Sequence, residues 1–89
     1  MERPFRPYEG SDAFVFVCYA HDDDEVVYSD LQRLADQGIN LWYDEGISPG
    51  TEWSDAIAER IRNCSTFLYC VSPRSVASEY CRQELRFAQ

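Results

Sequence analysis

The amino-acid sequence predicts an α/β fold, a doubly wound parallel sheet whose three strands run in the order 2-1-3. Short apolar runs rich in β-branched and aromatic residues recur three times: AFVFVCY (residues 13–19), INLWY (39–43) and TFLYCV (66–71). After each run, apolar residues fall at helical spacing. Each connection is long enough to carry the chain back across the sheet, so neighbouring strands are parallel and the element order is βαβαβα.

The elements follow in turn. Residues 1–11, opening MERPFRPYEG, read as a loose leader, and residues 12–89 as the domain. AFVFVCY is a buried strand. HDDDE follows it, then Val27, Leu31, Leu34 and Ala35 on one helical face; the aspartates suit a helix N-terminus and Gly38 its C-terminal stop. INLWY is the second strand. DEGISPGT (44–51) is a loop with two glycines and a proline, and Thr51 is placed to cap a second helix bearing Trp53, Ile57 and Ile61 along one face. TFLYCV is the third strand, and SPRS breaks the chain before a last helix.

TFLYCV is apolar on both sides of its pleat, as befits a central strand, yet the order 2-1-3 leaves it at an edge. The last helix reaches Gln89 without glycine, asparagine or proline to stop it. Both features predict that the domain is C-terminally incomplete in this chain.

Composition narrows the function. A chain of 89 residues with 45% hydrophobic content packs one small core, burying only about 60–65% of its unfolded surface. The net charge is −8 and all eight basic residues are arginine. An acidic surface argues against nucleic acid as a partner. The absence of lysine excludes Schiff-base chemistry and a P-loop. No apolar run approaches a membrane span, and the charged, proline-bearing start is no signal peptide. A cytoplasmic protein is expected. Its four cysteines form no CxxC pair, and Cys18 and Cys70 lie in apolar runs. They are expected to be reduced, buried thiols, with no metal and no cofactor.

In open α/β sheets, ligands bind beyond the carboxyl ends of the strands, where strand order reverses. For this order the crevice lies between residues 20–24 and 72–78, flanked by residues 44–51. The acidic run Asp22 to Asp24 resembles the magnesium site of response-regulator receivers. A receiver needs an aspartate at the end of strand three, where this chain has Val71-Ser72-Pro73. The acidic run is therefore read as a solvated, helix-capping cluster. In the last helix Cys81, Leu85 and Ala88 share one face, and Tyr80, Glu84 and Phe87 the neighbouring one. Periodicity alone makes Glu84 a surface glutamate pairing with Arg82 or Arg86.

Three separated motifs change that weighting. DAFVFVCYAHDD, LWYDEGISPGTEW and SPRSVASEYCRQEL resemble, in order, the strand-one signature, the loop after strand two and the glutamate-bearing helix of the Toll/interleukin-1 receptor (TIR) domain, in its bacterial form. The resemblance runs from about Asp12 to Gln89. It implies a flavodoxin-like fold with five parallel strands. Many TIR domains cleave the nicotinamide–ribose bond of NAD+, some forming cyclic ADP-ribose variants, while others are assembly modules without that chemistry.

By this resemblance Glu84 is the catalytic glutamate, four residues after an aromatic that is usually Trp and here is Tyr80. Cys18 stands where Ser is common, and Ala20-His21 where many animal members have arginine. The implied substrate is NAD+, with Tyr19, Ala20, His21, Asp44, Trp53 and Tyr80 around it. Tyr19 and Tyr80 offer stacking faces, and helix N-termini after strands one and three offer N–H groups to the pyrophosphate. Gly46, Ile47, Ser48, Pro49 and Gly50 form the implied self-association loop.

The chemistry suits one carboxylate. Nicotinamide leaves a cationic pyridinium as a neutral base, so no general acid is required, only stabilisation of an oxocarbenium-like ribosyl centre. The expected function is an NAD+ nucleosidase, the effector of a bacterial anti-phage system switched on by self-assembly. The alternative is a non-catalytic TIR interaction module in signalling.

Overall fold

The computed structural model describes residues 3–44 and 55–89. The elements are β1 (Val15–Cys18), a 3-10 turn (His21–Asp23), α1 (Asp24–Asp36), β2 (Leu41–Tyr43), α2 (Asp55–Asn63), β3 (Thr66–Tyr69), α3 (Pro73–Ala77) and α4 (Glu79–Ala88). The strands form one parallel sheet in the order β2-β1-β3, as expected. The predicted cap at Thr51 and the helical face at Trp53 lie outside the described residues.

Strand parity sorts the core into two layers. Val17 and Tyr19 point to one face of the sheet, where they pack with Val27, Tyr28, Leu31, Leu41 and Tyr43 beneath α1. Phe16 and Cys18 point to the other, against Ile57 and Ile61 of α2 and Cys81 of α4. Helices on both faces make the sheet doubly wound. The register places Phe16 opposite both Trp42 and Phe67. Its ring stacks on both, with centroids 5.1 and 5.4 Å away. A slip of one residue would turn this ladder to the wrong face.

Gly38 stops α1 through its backbone. At φ +87° it occupies the left-handed region, its N–H reaches Ala35 O at 2.9 Å, and Ile39 N–H reaches Leu34 O at 3.3 Å. This is a Schellman closure. The predicted last helix is two helices. Ser72 caps α3 in a reciprocal box with Ser75, and Ser78 caps α4 by accepting from Cys81 N at 3.2 Å.

Within residues 1–11, expected as a loose leader, Phe5 and Tyr8 contact β2. Tyr8 N donates to Leu41 O at 2.9 Å, the Phe5 ring meets Tyr43 edge-on at 5.3 Å, and Tyr43 Oη donates to Phe5 O. Among the described residues β3 pairs only with β1. Its side chains are half-buried or exposed, and Val71 just beyond it is 72% exposed. A groove of about 550 Å³ runs there between Leu68, Cys70 and Val71 and the α1 residues Val26, Val27 and Leu31. No helix among the described residues is long and apolar enough to cross a membrane.

Candidate functional site

At the carboxyl ends of the strands the chain leaves the sheet at Tyr19, at Asp44 and after Tyr69. Asp44 is held from two sides. Tyr19 Oη donates to its carbonyl oxygen at 2.5 Å, and Tyr80 Oη donates to its carboxylate at 3.1 Å. Tyr19 spends its one proton on Asp44, so Tyr28 Oη, 3.2 Å away, donates to Tyr19. His21 meets Tyr19 edge-on at 5.1 Å and faces Tyr80 at 6.3 Å between ring centroids. Tyr80 joins Asp44 and His21 by reaching across from the first turn of α4. Burial, with the charges of Asp44 and Glu84 nearby, pushes its phenol well above the usual tyrosine range.

One turn further along α4, Glu84 is 3% exposed. Arg82 and Arg86, the partners expected of a surface glutamate, both pair with Glu79 instead, at 3.7 and 3.4 Å. Among the described residues no arginine forms an ion pair with Glu84. Burial drives its carboxyl up to about 8; hydrogen bonding from the Cys18 thiol pulls it back, while Cys81 and Asp44 push it further up. Most of the Glu84 population in the free site therefore carries a proton at neutral pH.

Beneath Glu84 lies a pair of thiols. Cys18 and Cys81 are 0% and 1% exposed, and Cys18 Sγ sits 3.7 Å from Cys81 O. The Cys18 thiol is pushed far up by its contact with Cys81 and by burial. Cys81, in the first turn of α4, is drawn down to about 7, mainly by the hydrogen bond from Cys18. All four cysteines are free.

The structure thus brings together Tyr19, Ala20, His21, Asp44, Tyr80 and Glu84. Tyr19 is 4% exposed and Ala20 7%. The Ala20 carbonyl accepts from Asp23 N at 2.8 Å and starts the 3-10 turn. Trp53 and the loop residues Gly46, Ile47, Ser48, Pro49 and Gly50 lie outside the described residues. The sequence predicts a helix-capping role for the acidic run, but Asp23, at the N-cap of α1, makes no side-chain cap bond. Its carboxylate instead accepts from Ser72 Oγ and from Arg74 at 3.0 Å, tying the start of α1 to that of α3. Those two bonds hold the Asp23 carboxyl below the usual aspartate range.

Sequence reasoning read Cys18 and Cys81 as packing alone. Two signals could have linked them to Glu84: Cys81 precedes it by three residues on a helix, and Cys18 shares strand parity with Phe16 on the α4 side. It also missed the N-terminal arginines. Arg3 and Arg6 line a cavity of about 480 Å³ beside Trp42 and Asp44.

A sequence model of the family described as TIR domain matches residues 15–89. No curated protein and no solved structure matches the chain.

Proposed function

We propose, from the premise that this chain belongs to the TIR domain family, that it cleaves the nicotinamide–ribose bond of NAD+ with Glu84 as the catalytic carboxylate. The observation that carries this reading is the burial of Glu84 with its carboxyl raised to about 8. Burying a carboxyl beside another carboxylate and a thiol of heightened acidity costs stability. An interaction module has no use for that cost, whereas a site that must stabilise a transient cation does.

The reaction needs little else from the chain. The C1′–N bond breaks with its electron pair leaving on nicotinamide, and positive charge develops on the ribosyl centre opposite Glu84. Water then adds at C1′ and releases a proton, giving linear ADP-ribose; attack by an adenine nitrogen gives a cyclic product instead. Tyr80 offers its ring to the substrate, His21 borders it, and Asp44 is presented by Tyr80 and Tyr19. The bound pyridinium favours ionised Glu84, so binding of NAD+ to the protonated site expels a proton.

Such an enzyme fits the effector role of a bacterial immune protein, switched on by self-association through residues 46–50. Testing the catalytic role requires kcat/KM against pH. The free-enzyme carboxyl predicts a rise to a plateau with a midpoint near 8, and a lower midpoint for kcat because bound substrate favours the carboxylate. A flat profile between pH 6 and 9 would remove Glu84 from the chemistry.

A further inference from the structure

We propose that Arg6, with Arg3 beside it, holds the diphosphate half of the substrate in the cavity at the carboxyl end of β2, where Asp44 accepts from the adjoining ribose hydroxyls. That the ligand is NAD+ rests on the proposed reaction; a site for a nucleoside diphosphate does not.

The first residues reach this place by running back along β2. Tyr8 N bonds to Leu41 O at 2.9 Å, and the Phe5 ring meets that of Tyr43, further along the strand. The chain therefore runs antiparallel to β2, and its earliest residues arrive at the end where α/β sheets take ligands. There Arg3 and Arg6 line a cavity of about 480 Å³ with Glu9, Trp42 and Asp44, within the size range of small-ligand sites.

Arg6 stands apart in the charge pattern. The chain carries sixteen acidic side chains and eight arginines. Arg33 pairs with Asp30, Arg62 with Glu59, Arg74 with Asp23, and Arg82 and Arg86 with Glu79. Arg60 lies over the Trp42 ring. Arg6 makes no hydrogen bond, ion pair or ring contact among the described residues. Even Glu9 and Asp44, in the same cavity, do not pair with it. A guanidinium left over in so acidic a chain, on a concave surface, suits an anion that comes from outside.

The lining also sets the class of that anion. The guanidinium fork matches phosphate oxygens two at a time, whereas the carboxylates of Glu9 and Asp44 accept from hydroxyls and repel a bare phosphate. A ligand bearing both phosphates and a ribose satisfies both kinds of group. Asp44 also joins this cavity to the candidate site, because its carboxylate accepts from Tyr80 Oη at 3.1 Å. The helix starts after β1 and β3 are poorer seats for phosphate. Ser72 already caps α3 with its own hydroxyl, and the Asp23 carboxylate lies between the two starts, bound by Ser72 and Arg74. A phosphate arriving there meets a negative charge.

The test begins without turnover. ADP, adenosine and inorganic phosphate are titrated calorimetrically into wild-type protein, Arg6→Glu and Arg6→Lys; Arg6 is exposed, so these changes leave the core alone. Wild type should bind ADP at least tenfold more tightly than adenosine or phosphate. Arg6→Glu should abolish the preference for ADP over adenosine, and Arg6→Lys, which keeps the charge without the fork, should fall between. In turnover, Arg6→Ala should raise KM for NAD+ about tenfold. It should lower by a similar factor the ratio of kcat/KM for NAD+ to that for nicotinamide riboside, which lacks both phosphates. Equal ADP affinity in wild type and Arg6→Glu, or an unchanged ratio in Arg6→Ala, overturns the proposal, as does inorganic phosphate binding as tightly as ADP. Arg6-dependent binding of ADP by a protein that releases no nicotinamide would support the site and refute the NAD+ reaction.

Discussion

A carboxyl that is 3% exposed must either stay protonated or be charged at the expense of the fold. Glu84 makes that choice near pH 8 when folded and near pH 4.5 in a free chain. A folded-state value above the unfolded one means that its contribution is fully present below about 4.5 and is lost as pH rises through 8. Wild type should therefore lose on the order of 3 kcal/mol relative to Glu84→Gln between pH 5 and 8. Urea denaturation of both proteins at the two pH values measures the difference; equal pH dependence would mean that Glu84 is charged and solvated. The sequence carried half of this. Spacing put Glu84 on the face next to that of Cys81, Leu85 and Ala88, but where burial ends is set by how α4 lies on β1, which periodicity does not encode. The actual boundary buries Glu84 with Cys81 and leaves Ala88 outside.

At the scale of elements, α4 carries both Tyr80 and Glu84 and depends on one cap. Ser78→Ala removes the side-chain acceptor for Cys81 N, so it should cost about 1 kcal/mol of stability. Ser78→Thr should recover most of it, with denaturation midpoints as the readout. Undiminished stability in Ser78→Ala would show that packing on the sheet, not the cap, sets where α4 begins. Strands were legible because each is a short apolar run bounded by polar residues, and α1 because Gly38 marks its end. The break between α3 and α4 was not, since Ala77-Ser78 carries no glycine or proline. Ser78 makes that break instead, in extended backbone at ψ 118° as the C-cap of α3 and the N-cap of α4. Nor was the docking of the first residues onto β2: it rests on a backbone bond from Tyr8 and a ring contact from Phe5, and neither leaves a periodic trace.

Over the whole molecule, helices on both faces of a β2-β1-β3 sheet bring Tyr19, Asp44, Tyr80 and Glu84 to one end. The proposed self-association through residues 46–50 predicts that activity rises steeply with protein concentration. Ile47→Asp places a charge at the loop's apolar position and should abolish turnover while leaving the folded monomer intact, as judged by sedimentation and circular dichroism. Full-rate turnover by a monomer indifferent to that change would refute the assembly requirement. The most direct measurement is product analysis after incubating NAD+ with wild-type protein, Glu84→Gln and, as a control, Arg86→Ala, whose side chain pairs only with exposed Glu79 among the described residues. Wild type and Arg86→Ala should release nicotinamide together with linear or cyclic ADP-ribose, and folded Glu84→Gln should be slower by roughly 10²-fold or more. Full nicotinamide release by folded Glu84→Gln, or none by self-associated wild type, would contradict the assignment of Glu84 as the catalytic carboxylate.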